Sequence, residues 1–223
     1  KRIIFHPKML PSIVISDPAL TAGLPPHITA ATGMDALAHC IEAFCVPSYH
    51  PMADGIAVEG ARLVKEWLPT AVKDGKNLVA RAHMMAAATM GATAFQKGLG
   101  AIHALSHPIG AVYDTHHGLT NAVVMPYVLA FNRKMIDEKM TRLAAYIGLP
   151  KPSFQSVMDW VLALRKEIGI PNTLADLGVG TDRLDMLSEM AAVDPTAGGN
   201  PVPVGVPELK QLFIVSIEGR LAA

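Results

Sequence analysis

The sequence predicts a mainly α-helical fold, a helical bundle preceded by one short strand. Hydrophobic residues make up 51% of the 223 residues and aromatic residues only 5%, so the core must consist largely of Ala, Leu, Ile, Val and Met. Small side chains of this kind let helix axes approach closely. From Pro25 onward, stretches of good helix formers alternate with Gly and Pro clusters that end helices. A single β-branched run near the N-terminus predicts the strand.

That strand is predicted over residues 11–18, where Ile13, Val14 and Ile15 precede an Asp-Pro pair. A lone strand is not stable by itself, so its partner strands are either missing from this chain or belong to another domain. The chain is therefore divided into a strand and linker segment, residues 1–24, and a helical domain, residues 25–223.

Nine helices are predicted after the linker, and Gly and Pro clusters such as Gly148-Leu149-Pro150 separate several of them. They cover residues 27–44, 52–72, 77–95, 101–112, 119–132, 137–147, 153–168, 181–192 and 207–221. The third is apolar around almost its whole circumference, which predicts the central, buried helix of the bundle. Its methionines are interpreted as core packing in preference to a ligand pocket.

Charge and cysteine content exclude several classes of protein. The 19 basic and 19 acidic residues cancel, which argues against nucleic acid or an anionic membrane as the main partner. Cys40 and Cys45 match neither a C-x-x-C redox pair nor a zinc ribbon and are expected to be reduced thiols in a helix.

The N-terminus lacks the apolar stretch of a signal peptide, so a cytoplasmic location is expected. The longest uncharged central stretch, residues 115–132, is too polar to span a membrane.

Histidines concentrate in one part of the chain. Four of the nine lie between residues 103 and 117, namely His103, His107, His116 and His117. His103 and His107 are four residues apart on a predicted helix, so both rings leave the same face. The segment that follows is long enough to fold His117 back beside that helix.

A second pair with helical spacing lies upstream, where Asp35 and His39 share one face of an otherwise apolar helix. Burying a carboxylate and imidazoles without partners is costly, and a divalent metal would neutralise them. One carboxylate oxygen and three imidazoles form a four-ligand site suited to Fe(II) or Zn(II), with a position open for substrate.

Other metal and catalytic motifs are absent from the sequence. It contains no His-Glu-x-x-His of a zincin and no repeated Glu-x-x-His of a di-iron bundle. No His is followed by Asp, which excludes a helical phosphohydrolase with that pair. It also contains no G-x-S-x-G and no P-loop.

Three segments resemble the signatures of the iron-containing (group III) alcohol dehydrogenases. They are residues 31–43 (ATGMDALAHCIEA), residues 103–110 (HALSHPIG) with 116–118 (HHG), and the C-terminal residues 216–221 (SIEGRL). The resemblance implies a dehydroquinate synthase-like α-domain in which Asp35, His39, His103 and His117 bind the metal. It also implies that His107 lies near the nicotinamide, as a catalytic residue that positions the cofactor or relays a proton. His116 has no ligand counterpart and is expected to be a loop residue.

The activity implied by this resemblance is hydride transfer between a primary or secondary alcohol and NAD or NADP, with Fe(II) or Zn(II) as a Lewis acid on the substrate oxygen. The implied partners are a small alcohol or aldehyde and a second copy of the chain in a homodimer. Members of the family carry an upstream α/β domain with a Gly-rich turn for the pyrophosphate, and this nucleotide-binding domain is absent from the chain. By resemblance, Lys1, Leu20 and Gly23 line the cofactor cleft.

Two alternatives remain open from the sequence. One is a relative with the same architecture, such as a glycerol dehydrogenase or a dehydroquinate synthase-like protein. The other is a non-catalytic helical metal-binding module that lacks its nucleotide half. The two intact signatures favour the alcohol dehydrogenase branch.

Overall fold

The structure is a computed structural model that describes residues 6–221. Within this range the chain forms eight α-helices and no β-strand, which confirms the predicted helical fold. The helices are α1 (Pro26–Cys45), α2 (Pro51–Lys73), α3 (Leu78–Ala94), α4 (Ala101–Tyr113), α5 (His117–Tyr146), α6 (Phe154–Glu167), α7 (Leu184–Ala192) and α8 (Val206–Glu218). No helix in residues 6–221 is long and apolar enough to cross a membrane.

The central helix is α1, which packs against α2, α3 and α5. Of its 20 residues 14 are buried, and eight of these are Ala, Leu, Ile or Met, residue types that the composition predicted for the core. Cys40 and Cys45 are buried free thiols on this helix, as expected. Helix α5 in turn packs against α4, α6 and α8, so α1 and α5 connect the two halves of the bundle.

Two glycines let neighbouring helices approach α1 at the level of the candidate site. A Cβ at Gly91 of α3 would lie 2.9 Å from the Cβ of His39, and one at Gly118 of α5 would lie 2.5 Å from the carbonyl oxygen of Ala31. Real Cβ atoms do not approach backbone oxygens this closely, so a larger residue at Gly118 would force α5 away from α1.

The prediction that the third helix is central was wrong. In α3 only Ala80, Arg81, Ala87, Gly91 and Ala94 are buried. One side of α3 packs on α1 and α2 while the other side faces solvent. The apolar circumference was misleading because it consists mainly of Ala, whose small side chain is tolerated on an exposed face as well as in a core.

The two helices predicted over residues 119–132 and 137–147 are one continuous helix, α5. The predicted break fell on a polar segment around Arg133 and Lys134, which contains no Gly or Pro and consists of good helix formers. Pro126 lies inside α5 and does not end it.

The strand predicted over residues 11–18 is also absent from the described chain. Residues 11–17 form neither strand nor helix, and Ile13, Val14 and Ile15 are 80%, 72% and 85% exposed. A strand exists only as part of a hydrogen-bonded ladder, and no other strand is present in residues 6–221. The division of the chain at residue 25 stays a prediction.

Candidate metal centre

Three helices bring one carboxylate and three imidazoles together. Asp35 and His39 lie one turn apart in the middle of α1, His103 lies in the first turn of α4, and His117 is the first residue of α5. The Oδ1 atom of Asp35 is 3.9 Å from Nε2 of His39 and 3.8 Å from Nε2 of both His103 and His117. A tetrahedral site with bonds of about 2.1 Å has edges of about 3.4 Å, so small inward movements would suffice for all four atoms to share one cation.

The return of the chain from α4 to α5 depends on Asp114. This residue ends α4 in the left-handed conformation, with φ at 54°, which Asp adopts more readily than most residues. Only residues 114–116 separate the two helices, so His117 lies back beside the face of α4 that carries His103. The sequence predicted this return.

The candidate site is partly open to solvent. The side chain of His103 is 2% exposed, whereas those of Asp35 and His117 are 21% and 26% exposed. Burial by itself raises the pKa of the Asp35 carboxyl, but the imidazoles of His39 and His117 and a hydrogen bond from Asn121 lower it, and the net pKa is below its usual value. Asp35 is therefore ionised at neutral pH, as a metal ligand must be.

Stacked rings fix the orientation of the imidazoles. His39 lies between Phe95 and His103, with ring centroids 5.1 Å and 4.8 Å away. The ring of His117 stacks on that of His107 at 5.3 Å. These contacts restrict the rotamers of three proposed ligands.

His103 has a second, carboxylate partner on the side away from Asp35. Its Nδ1 lies 2.6 Å from Oε2 of Glu42, while Oε1 of Glu42 accepts a 2.7 Å hydrogen bond from the backbone N–H of Ile102. The neighbouring N–H of Ala101 donates to Oδ1 of Asn200 at 3.2 Å. Side chains from α1 and from the loop before α8 thus satisfy donors of the first turn of α4, which every helix leaves without an internal partner.

Asn121 lies at the point where the proposed ligands converge. Its Nδ2 donates to Oδ1 of Asp35 at 2.6 Å and lies 3.1 Å from Nε2 of His103 and 3.2 Å from Nε2 of His117. Asn121 is fully buried, and its Oδ1 has no hydrogen-bond partner among residues 6–221. An amide hydrogen donor and a divalent cation both require acceptor lone pairs, so the atoms around Nδ2 are suited to bind a cation.

His107 lies beside the cluster, but its Nδ1 contacts Asp194 and not a proposed metal ligand. Its Nδ1 lies 2.8 Å from Oδ2 of Asp194 in the segment after α7, and Asp194 also accepts hydrogen bonds from the backbone and hydroxyl of Thr196. Burial alone would raise the pKa of Asp194, but these hydrogen bonds keep it below its usual value. His107 therefore has an ionised partner at Nδ1 and keeps Nε2 for other contacts.

The remaining predicted residues lie apart from this cluster or outside the described chain. His116 lies in the connection between α4 and α5, as expected of a loop residue, and it is also the N-cap of α5, where its Nδ1 accepts from the N–H of Leu119. Leu20 and Gly23 are exposed in the segment before α1. Lys1 falls outside the described residues.

Sequence reasoning missed three residues of this region. Glu42 follows Asp35 by seven residues and His39 by three, and Asn121 follows His117 by four, so the helical spacing used for the histidines could have found both. Asp194 had no such signal, because it reaches His107 from a segment 87 residues away.

The fold and this geometry define a class of protein, an all-helical domain with a candidate site for a divalent metal. Asp35, His39 and His103 offer ligand atoms that all lie within 4.8 Å of one another. Residues 29–216 match the family model described as "Fe-containing alcohol dehydrogenase family, C-terminal". The chain belongs to this family.

Individual relatives agree with this assignment. The chain is 41% identical to 4-hydroxybutyrate dehydrogenase of Cupriavidus necator over 96% of its own length and 58% of the relative's. It superposes with a TM-score of 0.89 on 1,3-propanediol oxidoreductase, at 36% identity, covering 93% of this chain and 56% of that one. Sulfoacetaldehyde reductase from Bifidobacterium kashiwanohense, solved in complex with NAD+, gives a TM-score of 0.88 at 28% identity, covering 97% of this chain and 57% of that one. The chain thus spans little more than half the length of the relatives it matches.

Proposed function

We propose that the chain is the metal-binding helical domain of an NAD(P)-linked alcohol dehydrogenase, with Asp35, His39, His103 and His117 as ligands of Fe(II) or Zn(II). The observation that carries the proposal is the position of Asp35 Oδ1, which lies 3.8–3.9 Å from three imidazole nitrogens. One oxygen and three nitrogens form a donor set that suits either metal.

A divalent cation bound here supplies Lewis-acid stabilisation of negative charge on an alcohol oxygen. Asp35 reduces the net charge of the site by one, while the neutral imidazoles leave it cationic. The buried side of the site, formed by His103 and the helices behind it, excludes water from one face. His107 is bonded to Asp194 at Nδ1, and its Nε2 can accept or release the proton of the alcohol.

The nucleotide is proposed to bind between this domain and an upstream half, as NAD or NADP, with Lys1, Leu20, Gly23 and His107 lining the cleft. The NAD+ complex of the related sulfoacetaldehyde reductase supports the choice of cofactor. The names of the relatives support a small alcohol or aldehyde as substrate. A cytoplasmic location and a homodimer complete the proposal and rest on the family resemblance.

A non-catalytic metal-binding module, which keeps the cluster of Asp35, His39 and His103 for stability or assembly, is the second candidate. A glycerol dehydrogenase-like relative differs from the first proposal only in its substrate. Assays of the full-length gene product with NAD+ or NADP+ separate these candidates. Oxidation of short alcohols supports the first proposal, oxidation of glycerol supports the glycerol dehydrogenase-like relative, and oxidation of neither supports the non-catalytic module.

The proposed ligand set is tested by the metal content of single variants. Without one imidazole the cation loses a quarter of its protein ligands, so His103→Ala and His117→Ala are expected to retain less than about a tenth of the bound metal. His27→Ala is the matched control, because His27 is exposed at the start of α1. Elemental analysis after dialysis measures the result, and full occupancy in either ligand variant would contradict the assignment.

A further inference from the structure

Glu42 connects α1, which carries Asp35 and His39, to α4, which carries His103. Its side chain is buried on α1, and each of its two oxygens has a partner on α4. Oε2 lies 2.6 Å from Nδ1 of His103, and Oε1 accepts the N–H of Ile102 at 2.7 Å. Both distances are in the short range expected of hydrogen bonds to a charged acceptor.

The partners of Glu42 determine where the hydrogen of the His103 ring lies. The backbone N–H of Ile102 can only donate, and a carboxylate can only accept. The 2.6 Å contact at Oε2 is therefore a hydrogen bond only if Nδ1 of His103 is the donor. A neutral imidazole with its hydrogen on Nδ1 has its lone pair on Nε2, the atom that lies 3.8 Å from Oδ1 of Asp35.

We propose that Glu42 is a positioning residue that holds His103 in the Nδ1–H tautomer and thereby makes Nε2 available to a metal. The inference rests on the proposed function for the role of His103 as a ligand, but the tautomer itself is a property of the metal-free chain. Partners of this kind fix the ring orientation of metal-binding histidines and raise their basicity.

Glutamine cannot replace Glu42 in this role. Its side chain offers one acceptor oxygen and one NH2 donor, whereas Ile102 N–H and His103 Nδ1–H both need an acceptor. If the oxygen faces Ile102, the NH2 faces Nδ1, and the ring hydrogen moves to Nε2, where it blocks the metal. If the oxygen faces His103, the N–H of Ile102 loses its acceptor in a buried helix end.

The same helix provides a matched control. His107 lies one turn after His103, and its Nδ1 lies 2.8 Å from Oδ2 of Asp194, so the carboxylate–imidazole contact is repeated next to the site. His107 is not among the proposed ligands. Asp194→Asn therefore changes a neighbouring contact of the same type without removing a hydrogen bond from an imidazole that is a proposed ligand.

The experiment measures zinc and cobalt(II) affinity by competition with a chromophoric chelator, in the full chain and its variants. Glu42→Gln is expected to weaken binding about 10- to 100-fold, the usual effect of removing such a partner. Asp194→Asn should remain within about twofold of the unsubstituted chain. Glu42→Asp keeps two acceptor oxygens and should recover a large part of the loss.

Nitrogen-15 NMR of the metal-free imidazoles, at about pH 8 where histidine is mostly neutral, reads the tautomer directly. The unsubstituted chain should show His103 protonated at Nδ1, and Glu42→Gln should shift the hydrogen to Nε2. Protonation of His103 at Nε2 in the unsubstituted chain would overturn the inference without any variant, as would metal binding by Glu42→Gln at full strength. If the unsubstituted chain binds neither metal, the proposed function fails, and the tautomer still decides the role of Glu42.

Discussion

At the scale of single residues, the side-chain amide of Asn121 contacts the ring nitrogens that a bound metal would use, so metal binding must displace its hydrogen bonds. Each imidazole Nε2 has a single lone pair, so a hydrogen bond from Asn121 Nδ2 and coordination of a cation exclude each other at His103 and His117. In the structure the two amide hydrogens of Asn121 face three acceptors, Oδ1 of Asp35 and Nε2 of His103 and of His117, so the two ring nitrogens share one hydrogen when the other bonds to Asp35. Its own Oδ1 is buried without a partner among residues 6–221, which costs about 1–3 kcal/mol.

Asn121→Leu should therefore destabilise the chain without metal more than the metal-bound chain, because the imidazoles accept a hydrogen of this amide only when no cation occupies their Nε2 lone pairs. The expected result is a lower melting temperature without metal and a larger zinc-induced increase than in the unsubstituted chain. Differential scanning fluorimetry with and without zinc measures both.

Asn132→Leu is the control for this substitution. Asn132 is equally buried but pairs with Asn200 through two reciprocal hydrogen bonds of 2.8 Å, not with a proposed ligand. Its replacement should lower the melting temperature with and without zinc by similar amounts. An unchanged zinc-induced increase in Asn121→Leu would show that its amide does not compete with the metal.

At the scale of helices, the elements whose ends carry Gly or Pro were predicted within a few residues. Helix α1 was predicted over residues 27–44 and found at Pro26–Cys45, and α4 was predicted over 101–112 and found at Ala101–Tyr113. The position of α3 in the bundle could not be read from its composition, because alanine suits both core and surface. The missing strand shows the same limit, since pairing depends on a partner outside the local sequence.

The candidate site was predictable to the extent that it follows helical periodicity. The pair Asp35 and His39 and the pair His103 and His107 were found from their spacing of four residues. The crossing of α1, α4 and α5 brings His103 and His117 to Asp35. This crossing does not follow from helical spacing, and predicting it required the family resemblance or the three-dimensional structure. The contact of His107 with Asp194 depends on the path of the chain after α7, which no local pattern reports.

Gly118→Ala tests how far the site depends on the close packing of α5 on α1. A Cβ at this position would lie 2.5 Å from the carbonyl oxygen of Ala31 and 3.0 Å from Cβ of Asp35. The first turn of α5, which carries His117, must then move away from Asp35. The expected result is a loss of about 1–3 kcal/mol in the free energy of unfolding, together with weaker zinc binding.

Gly55→Ala on α2 provides the control, because nothing lies within 4 Å of a Cβ built there. Alanine in an open helix position should stabilise the chain by up to about 1 kcal/mol, with zinc affinity unchanged. Urea denaturation and chelator competition measure the two quantities. Equal zinc affinity in Gly118→Ala and Gly55→Ala would show that zinc binding does not depend on the close packing of α5 against α1.

At the scale of the whole molecule, the buried thiols of the central helix limit stability at high pH. Burial raises the pKa of Cys40 and of Cys45 to about 12. Below about pH 8 the thiols are protonated in both the folded and the unfolded chain and have no effect. Between about pH 9 and 12 the unfolded chain releases these protons while the folded chain keeps them, so stability falls as the pH rises.

The expected loss is at most about 1.4 kcal/mol per pH unit for each thiol. Urea midpoints between about pH 8 and 10.5 should decrease more steeply in the unsubstituted chain than in the Cys40→Ala/Cys45→Ala double variant, since tyrosines and lysines titrate in both proteins. Parallel pH profiles for the two proteins would argue against this contribution.

The segment before α1, residues 11–17, bears on how this chain would contact the proposed nucleotide-binding half. Ile13, Val14 and Ile15 are 72–85% exposed in this chain, an unusual state for three consecutive β-branched residues. If the proposed nucleotide-binding half contributes a sheet, pairing with this segment would bury their side chains and protect their amides. Hydrogen exchange should then be fast at residues 13–15 in the chain alone and slow in the full-length gene product, whereas amides in the middle of α1 should be protected in both. Fast exchange at residues 13–15 in both proteins would mean that the two halves meet elsewhere, and the segment would then act only as a tether between them.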